Sequence, residues 1–157
     1  MPEAQLDRFL MKVIIEYPDQ PSECEIVSRA AAERPGSSSP VDVVCTPADI
    51  VAAQEMTAAV QAVPEVVAYA VALARATRDA RAVALGAGTR GAIALVRVAK
   101  APAALQGRGF VIPDDIKSVA LPVLRHRVQL TPEVAISGQE VDEVLKGIVE
   151  SVPAPRG

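Results

Sequence analysis

Residues 86–99 read GAGTRGAIALVRVA, and this stretch decides the class of the fold. Gly86 and Gly88 predict a turn, and the apolar residues that follow them are spaced as in an amphipathic helix. Pro102 is expected to bend or interrupt this helix, because proline has no backbone N–H and its ring clashes with the preceding turn. The helix is predicted to begin at Thr89 and to bury Ile93, Leu95, Val96 and Val98.

Similar helix signals recur along the chain and predict a mainly α fold. The clearest is Thr46-Pro47-Ala48-Asp49, where the threonine hydroxyl can cap a helix, the proline fits its first turn and the aspartate favours its positive end. Further helices are predicted over residues 2–9, after residue 113 and from 139 to 149. Two more, from 21 to about 34 and from 63 to 79, are expected to bury Ile26, Val27 and Ala30 in the first and Val67, Ala70, Val71 and Ala74 in the second.

One segment departs from the helical pattern. Met11-Lys12-Val13-Ile14-Ile15 has the β-branched character of a strand, which Tyr17-Pro18 ends. A single strand leaves its backbone N–H and C=O groups without partners, and no later segment predicts a matching strand. The strand is therefore expected to pair within a larger protein. Residues 36–40 are predicted to form a surface loop and residues 153–157 a frayed tail.

The composition excludes several kinds of partner. Half of the 157 residues are apolar, but no apolar run approaches the roughly 20 residues that a membrane-spanning helix needs. The net charge is -3 and aromatic residues make up 3% of the chain, which argues against binding to nucleic acid or to an anionic membrane surface. The N-terminus lacks the features of a signal peptide, so a cytoplasmic location without membrane insertion is expected.

A protein-bound metal is not expected either. The chain has one histidine, His126, and its two cysteines lie in different segments without the spacing of metal ligands. Cys24 and Cys45 are instead predicted to be reduced thiols that are at least half buried.

The chain also lacks the motifs that bind the phosphates of ATP. A P-loop needs the pattern G-x-x-x-x-G-K-[ST], so that backbone N–H groups and a lysine surround the phosphates, and no glycine here is followed by lysine. The acid of a Walker B motif ends an apolar strand, whereas the only Asp-Glu pair, Asp142-Glu143, lies in a predicted amphipathic helix. The chain is therefore not expected to hydrolyse ATP alone.

Five short motifs follow one another along the chain: Leu6-Asp7-Arg8-Phe9 with Tyr17-Pro18; Tyr69 with Ala76-Thr77-Arg78; Gly86-Ala87-Gly88-Thr89-Arg90; Gly107-Arg108 with Val111 and Pro113-Asp114-Asp115; and Leu124-Arg125-His126-Arg127. Their order and spacing resemble the C-terminal half of MoxR-family AAA+ ATPases. The resemblance implies the C-terminal edge of the AAA+ core in residues 1–20 and a helical lid in residues 21–152.

The resemblance implies that Arg8 is an arginine finger, which lies at the subunit edge and points at the nucleotide of the neighbouring subunit. A planar guanidinium that is always charged can neutralise the charge that develops on the transferred phosphoryl oxygens. Asp7 would orient Arg8 or contact the neighbouring subunit. The residues alone also allow a surface helix with an ordinary ion pair.

Arg90 resembles the sensor 2 arginine, which responds to the γ-phosphate and couples it to the position of the lid. Gly86 and Gly88 permit the preceding turn, and the N-terminal end of a helix attracts anions. Family members often have proline where Thr89 stands, and Thr89 is expected to serve as the N-cap instead. The resemblance leaves open whether Arg90 acts on the nucleotide of its own subunit or of the next, and a solvated arginine is the alternative.

The other polar residues of the motifs are interpreted as structural. Arginines at helix ends commonly bind carbonyl groups or pair with carboxylates, and acids in a first turn are favoured by the helix dipole. This interpretation applies to Arg78, Arg125, Arg127 and His126, and to Asp114 and Asp115 after Pro113.

The resemblance also implies what the complete protein does. Its cofactors would be ATP and Mg, and the partners of this chain would be the missing P-loop portion and the neighbouring subunits of a ring. Its work would be ATP-driven chaperone or remodelling activity on other proteins, often with von Willebrand factor A domain proteins. The alternative is a free-standing helical protein-interaction module without nucleotide chemistry, which would need neither the predicted strand nor the Asp7-Arg8-Phe9 motif.

Overall fold

The structure is a computed structural model in which residues 3–32 and 41–155 are described. The predicted loop at residues 36–40 and the last two residues of the predicted tail lie outside these ranges. The described chain is mainly helical, so the predicted fold class is confirmed. The helices are α1 (Glu3–Leu6), α2 (Gln20–Ala32), α3 (Pro47–Ala59), α4 (Pro64–Asp79), α5 (Thr89–Leu105), α6 (Pro113–Leu124), α7 (Pro132–Ile136) and α8 (Val141–Ser151), and the strands are β1 (Val83–Leu85) and β2 (Gln129–Leu130).

The core is built around α5. This helix packs against both α4 and α6, and α8 contacts the same two helices. The buried side of α5 consists largely of alanines, whose small side chains let the neighbouring helices come close. Larger side chains fill the space between the four helices, namely Leu73 of α4, Leu95 of α5, Ile116 and Leu124 of α6 and Leu145 of α8.

The predicted start of α3 is confirmed. The Thr46 hydroxyl accepts a hydrogen bond from the Asp49 N–H at 3.3 Å, and the Asp49 carboxylate accepts one from the Thr46 N–H at 2.7 Å. Two backbone N–H groups that have no partner inside the helix are thereby bound by side chains. The Asp49 carboxylate also accepts a hydrogen bond from the Thr46 hydroxyl at 2.7 Å, and the hydrogen bonds from the Thr46 N–H and hydroxyl lower the pKa of Asp49 below its usual value.

Helix α6 begins without a hydroxyl cap, and Asp115 supplies the acceptor instead. Its carboxylate accepts a hydrogen bond from the Ile112 N–H at 2.8 Å and two from the Arg108 guanidinium at 2.6 and 2.7 Å. The Arg108 hydrogen bond above all, with that from Ile112, holds the pKa of Asp115 below its usual value although the side chain is buried. Asp115 is thus the structural first-turn residue that the sequence predicts, with Arg108 as a partner that it does not.

The strand predicted at Met11–Ile15, which was expected to pair within a larger protein, does not form among the described residues, and its pairing in the complete protein stays a prediction. Residues 11–19 have no regular secondary structure, and no strand of the described residues pairs with them. A strand is stable only where a neighbour binds its backbone groups. The Lys12 N–H is instead bound by the Pro122 carbonyl at 2.8 Å, which attaches this segment to α6.

The described sheet consists of the antiparallel pair β1 and β2, which the sequence analysis does not predict. It joins the connection between α4 and α5 to the connection between α6 and α7. Strands of two or three residues are too short to show a period in the sequence, and this explains why they are missed.

The predicted buried face of α2 is wrong. Ile26 and Val27 are 57% and 61% exposed, and Ala30 is exposed as well. The apolar spacing in α2 is genuine, but the rest of the described chain does not cover this helix.

The predicted face of α4 is half right. Ala70 and Ala74 are buried, but Val67 and Val71 are 39% and 42% exposed. Apolar residues surround α4 on nearly every side, so its spacing alone does not decide which side is buried. The core side contains Val66, Tyr69 and Leu73 in addition to the two alanines.

Helix α5 continues past Pro102, so this proline does not interrupt it. The proline lies in the last turn of the helix, where few hydrogen bonds remain to be lost. Leu95 is fully buried as predicted, whereas Ile93 is 48% exposed. Val96 and Val98 are half-buried against the core.

Cys24 and Cys45 are exposed thiols, contrary to the expected burial. No helix within residues 3–32 and 41–155 is long and apolar enough to cross a membrane, and no group of acidic, histidine or cysteine residues there is arranged to hold a metal ion. Ala154 packs against the core, although a frayed tail was expected from residue 153.

Candidate functional site

An open cleft lies between the end of α1 and the first turns of α5. Its volume is about 430 Å³. It brings Asp7 and Arg8 together with Arg90, which is far from them in the sequence and which the resemblance also assigns to nucleotide chemistry. The lining residues are Asp7, Arg8, Leu10, Arg90, Ile93, Ala94, Arg97 and Arg127.

The cleft is rich in arginine. Arg8 and Arg97 are exposed, and the Arg90 side chain is 64% exposed. Within the described part of the chain, no carboxylate lies within ion-pair distance of the Arg8 guanidinium. Guanidinium groups bind phosphate oxygens through paired hydrogen bonds, so the cleft has the chemistry of a polyanion site.

Asp7 is the acidic residue of this cleft, and its carboxylate lies between two arginines. One oxygen is 3.4 Å from Arg90 Nη1 and the other is 3.3 Å from Arg127 Nε. Asp7 was expected to orient Arg8 or to contact the neighbouring subunit, and within the described residues its carboxylate contacts Arg90 and Arg127. Asp7 therefore connects Arg90 and Arg127, and Arg8 lines the same cleft.

The loop before α5 is fixed to α4 by a buried hydroxyl. Thr77 Oγ1 accepts a hydrogen bond from the Ala87 N–H at 2.8 Å and donates one to the Ala74 carbonyl at 2.7 Å. The same loop places the first turn of α5, and so Arg90, relative to the core. Thr77 belongs to the motif Ala76-Thr77-Arg78. Its role could not be predicted from the sequence, because the sequence does not show which loop packs against α4.

The two glycines of this loop have different roles. A Cβ on Gly86 would lie 2.7 Å from backbone atoms of Arg78, so only glycine lets the loop approach α4 this closely. Gly88 is the N-cap of α5, and a Cβ there would have no atom within 4 Å. The prediction that Thr89 caps the helix is wrong, because Thr89 is the first helical residue.

Gly86, Gly88 and Thr89 do not line the arginine cleft itself. Gly86 and Gly88 line a second cavity of about 620 Å³ that shares Asp7 and Arg127 with the cleft. Thr89 lies on an apolar groove of about 360 Å³ between α4 and α5. These three residues, which the resemblance assigns to the nucleotide, lie in the loop and the first turn that directly precede Arg90.

We expect Gly86→Ala to destabilise the chain far more than Gly88→Ala. The first change forces the loop away from Arg78 and should lower the free energy of unfolding by about 1–3 kcal/mol. The second alters an open N-cap and should cost at most about 1 kcal/mol. Urea unfolding of both variants measures the difference, and equal effects would contradict the close approach.

Sequence reasoning missed Arg97 and the position of Arg127 in the cleft. Arg97 follows Arg90 by two helical turns, so the helical period could have placed both on one side of α5. Arg127 was interpreted as structural, and its buried side chain does bind backbone carbonyl groups. The position of Arg127 beside Arg90 depends on tertiary packing, and the spacing of residues in the sequence does not predict it.

Arg125 and His126 have the structural roles expected of them. Arg125 binds the Asp142 carboxylate through two hydrogen bonds of 2.7 and 3.1 Å. His126 Nε2 lies 3.1 Å from the Phe9 carbonyl oxygen, and burial is the main cause that lowers the pKa of His126. The carboxylate of Asp142, a residue of α8, is therefore paired with Arg125.

Comparison with known proteins gives the family. The AAA lid domain matches residues 75–148. The chain is 31% identical to the Chaperone MoxR1 of Mycobacterium tuberculosis over an alignment of 165 residues. This alignment covers 99% of this chain and 43% of that protein. The chain belongs to the MoxR family of AAA+ proteins. It corresponds to the C-terminal region of that family, with the helical lid.

Other similarities agree with the MoxR assignment. The chain is 35% identical to the protein YeaC of Bacillus subtilis over an alignment of 155 residues. This alignment covers 99% of this chain and 48% of that protein. A solved structure from Cytophaga hutchinsonii, described as a candidate ATPase, superposes with a TM-score of 0.86 at 32% identity over 99% of this chain and 49% of that one. This MoxR-family chain thus spans about half the length of the curated relatives it matches.

Proposed function

We propose that this region supplies the lid and two catalytic arginines of a ring-forming MoxR-type ATPase. Arg8 and Arg90 line one cleft with exposed guanidinium groups, and this single observation carries the proposal. Such groups fit the triphosphate of ATP and the charge that develops when the γ-phosphoryl group leaves. Arg8 is the arginine finger and Arg90 the sensor 2 residue.

The nucleotide itself is held by another part of the complete protein. The sequence of this chain has no P-loop, so the residues that bind Mg and the phosphates directly come from the P-loop portion. The arginines of this chain then bring positive charge close to a nucleotide that the P-loop portion already binds.

The shared cleft also supports an answer to which subunit Arg90 serves. Two side chains that line one cleft can reach the same nucleotide. An arginine finger acts, by the family resemblance, on the nucleotide of the neighbouring subunit. If Arg8 does so, Arg90 acts on that neighbour too, and sensor 2 works in trans.

The work done by ATP hydrolysis is proposed to be remodelling of other proteins. This rests on similarity to a protein named as a chaperone, Chaperone MoxR1. Von Willebrand factor A domain proteins are proposed as partners on the family resemblance alone. The ring arrangement follows from the finger, since Arg8 needs a neighbouring subunit to act on.

ATP hydrolysis by the purified chain, alone and mixed with the P-loop portion of a matching MoxR protein, tests the proposal. We expect no activity from either part and activity from the mixture, which Arg8→Ala in this chain should remove. Silence in the mixture, with a folded helical spectrum for this chain, would favour an interaction module without nucleotide chemistry.

We expect Arg90→Ala in the complete protein to lower ATP turnover by about 100-fold. The loss of a group that distinguishes ATP from ADP should also bring the two nucleotide affinities closer together. Steady-state turnover and the two dissociation constants measure both effects. Arg75→Ala is the matched control, because Arg75 is an exposed arginine on α4 outside the cleft, and an Arg90 variant that behaves like it would refute the sensor role.

A further inference from the structure

We propose that Arg127 is a positioning residue that holds the finger segment, residues 7–12, so that Arg8 and Arg90 face the same cleft. This inference rests on the proposed function for its catalytic consequence, while its structural part stands on the contacts alone. Arg127 touches no nucleotide in this proposal. It acts through the backbone of the finger segment and through the Asp7 carboxylate.

The Arg127 guanidinium binds several backbone carbonyls at once. Its Nη2 donates to Asp7 O at 3.3 Å and to Phe9 O, and its Nη1 donates to Leu10 O at 3.2 Å. The same Nη1 donates to Val123 O, in the last turns of α6. One side chain therefore connects the finger segment to a core helix.

Only an arginine can make this set of contacts. The Arg127 side chain is 3% exposed, so its charge and its donors need partners inside the protein. The carbonyls supply hydrogen bonds, and the Asp7 carboxylate 3.3 Å from Nε supplies the opposite charge. Burial lowers the pKa of Arg127 and Asp7 raises it, but an arginine keeps its proton. Lysine has one nitrogen and cannot span the same acceptors.

Asp7 links the clamp to the second arginine of the cleft. Its carboxylate contacts both Arg127 and, at 3.4 Å, Arg90. Arg8 is the next residue in the chain after Asp7. The position of Arg8 relative to Arg90 is therefore set by one buried guanidinium and one shared carboxylate.

Two neighbours of Arg127 strengthen the attachment. His126 Nε2 lies 3.1 Å from the Phe9 carbonyl oxygen, and Arg125 Nη1 donates to the Lys12 carbonyl at 3.4 Å. The finger segment has no regular secondary structure beyond α1, so these side-chain contacts replace the hydrogen bonds that a helix or sheet would provide.

A distance measurement on the full chain tests the clamp without any nucleotide. Spin labels are attached through Arg8→Cys and Arg97→Cys in a background with Cys24→Ser and Cys45→Ser, since both native thiols are exposed. We expect one narrow distance distribution when Arg127 is present and a broad one in Arg127→Gln and in Arg127→Lys. Arg75→Gln, which removes an exposed arginine of α4, should leave the distribution narrow.

A narrow distribution in a folded Arg127→Gln chain would overturn the proposal, and so would full recovery by lysine. If Arg127→Gln does not fold, Asp7→Asn takes its place, because it keeps the size of the side chain and removes the charge that Arg127 and Arg90 share. Broadening in Asp7→Asn supports the clamp, and an unchanged distribution overturns it.

The catalytic consequence is measured in the complete ATPase with native cysteines and Arg8. We expect Arg127→Gln to lower kcat by about 100-fold with little change in KM, as misplacement of a catalytic group does. Combination with Arg8→Ala should add no further loss. If Arg8→Ala alone leaves turnover unchanged, the finger assignment fails, and the distance measurement still decides whether Arg127 positions the segment.

Discussion

Arg8→Ala in the complete protein should lower ATP turnover by on the order of 10³–10⁵-fold, while the affinity for ATP stays close to that of the unchanged protein. The Arg8 guanidinium is exposed in the cleft and has no ion-pair partner among the described residues, so it is available to a developing phosphoryl charge. That charge exists in the transition state and hardly at all in bound ATP, which is why kcat falls and binding does not.

Turnover and nucleotide affinity should be measured on the same preparations of Arg8→Ala, Arg8→Lys and Arg75→Ala. Lysine keeps the charge but lacks the planar fork, so Arg8→Lys should remain strongly impaired. Arg75→Ala changes the net charge equally and should turn over normally, since Arg75 lies outside the cleft. Normal turnover in Arg8→Ala would rule out the finger role.

Asp115→Ala should lower the free energy of unfolding of this chain by about 3–5 kcal/mol. Asp115 is 4% exposed and binds both Arg108 and the Ile112 N–H. Its removal leaves the half-buried Arg108 without its carboxylate and a helix N-terminus without its cap. Urea unfolding followed by circular dichroism measures the loss.

Asp114→Ala provides the matched control for this change. Asp114 precedes Asp115 in the same first turn, but it is exposed and has only a 3.4 Å pair with Lys117. Its loss should change the free energy of unfolding by no more than about 0.5 kcal/mol. Equal losses in the two variants would mean that Asp115 acts only through the helix dipole.

The stabilisation by Asp115 should depend on pH in a defined direction. Arg108 and the Ile112 N–H lower the pKa of Asp115 in the folded chain below the ordinary value of 3.8. A carboxylate of lowered pKa stabilises the fold above the unfolded pKa, and this contribution disappears as the pH falls through the folded pKa. The difference between the unchanged chain and Asp115→Ala should therefore be constant near neutral pH and shrink below about pH 4.

Local signals predicted the parts of the fold that depend on local chemistry. The start of α3 is encoded within four residues, because Thr46 and Asp49 bind each other's backbone N–H groups. The start of α6 is similarly local to Asp115. The assignment of Arg8 and Arg90 to nucleotide chemistry came from the family resemblance, whereas their position on one cleft is seen only in the structure.

The remaining features depend on what covers a segment. Met11–Ile15 has strand residues, but a strand also requires a partner. Among the described residues, the Lys12 N–H is bound by the Pro122 carbonyl of α6 and the Lys12 carbonyl by the Arg125 side chain. Val67 and Val71 are as apolar as Val66, and only the packing of α5 decides which of them faces the core. A structural role was predicted for Arg127, but its place in the cleft was missed because it depends on the same tertiary packing.

The charges of the cleft have a consequence for how quickly nucleotide and protein meet. Four arginines and one aspartate give the cleft a formal charge of +3, whereas the whole chain carries -3. At physiological ionic strength, attraction acts over about 8 Å, so free ATP is not steered toward the cleft from a distance. A neighbour that arrives with ATP already bound brings the anion within that range as the two surfaces dock. Added salt should therefore slow the association of ATP-loaded subunits more than that of empty ones.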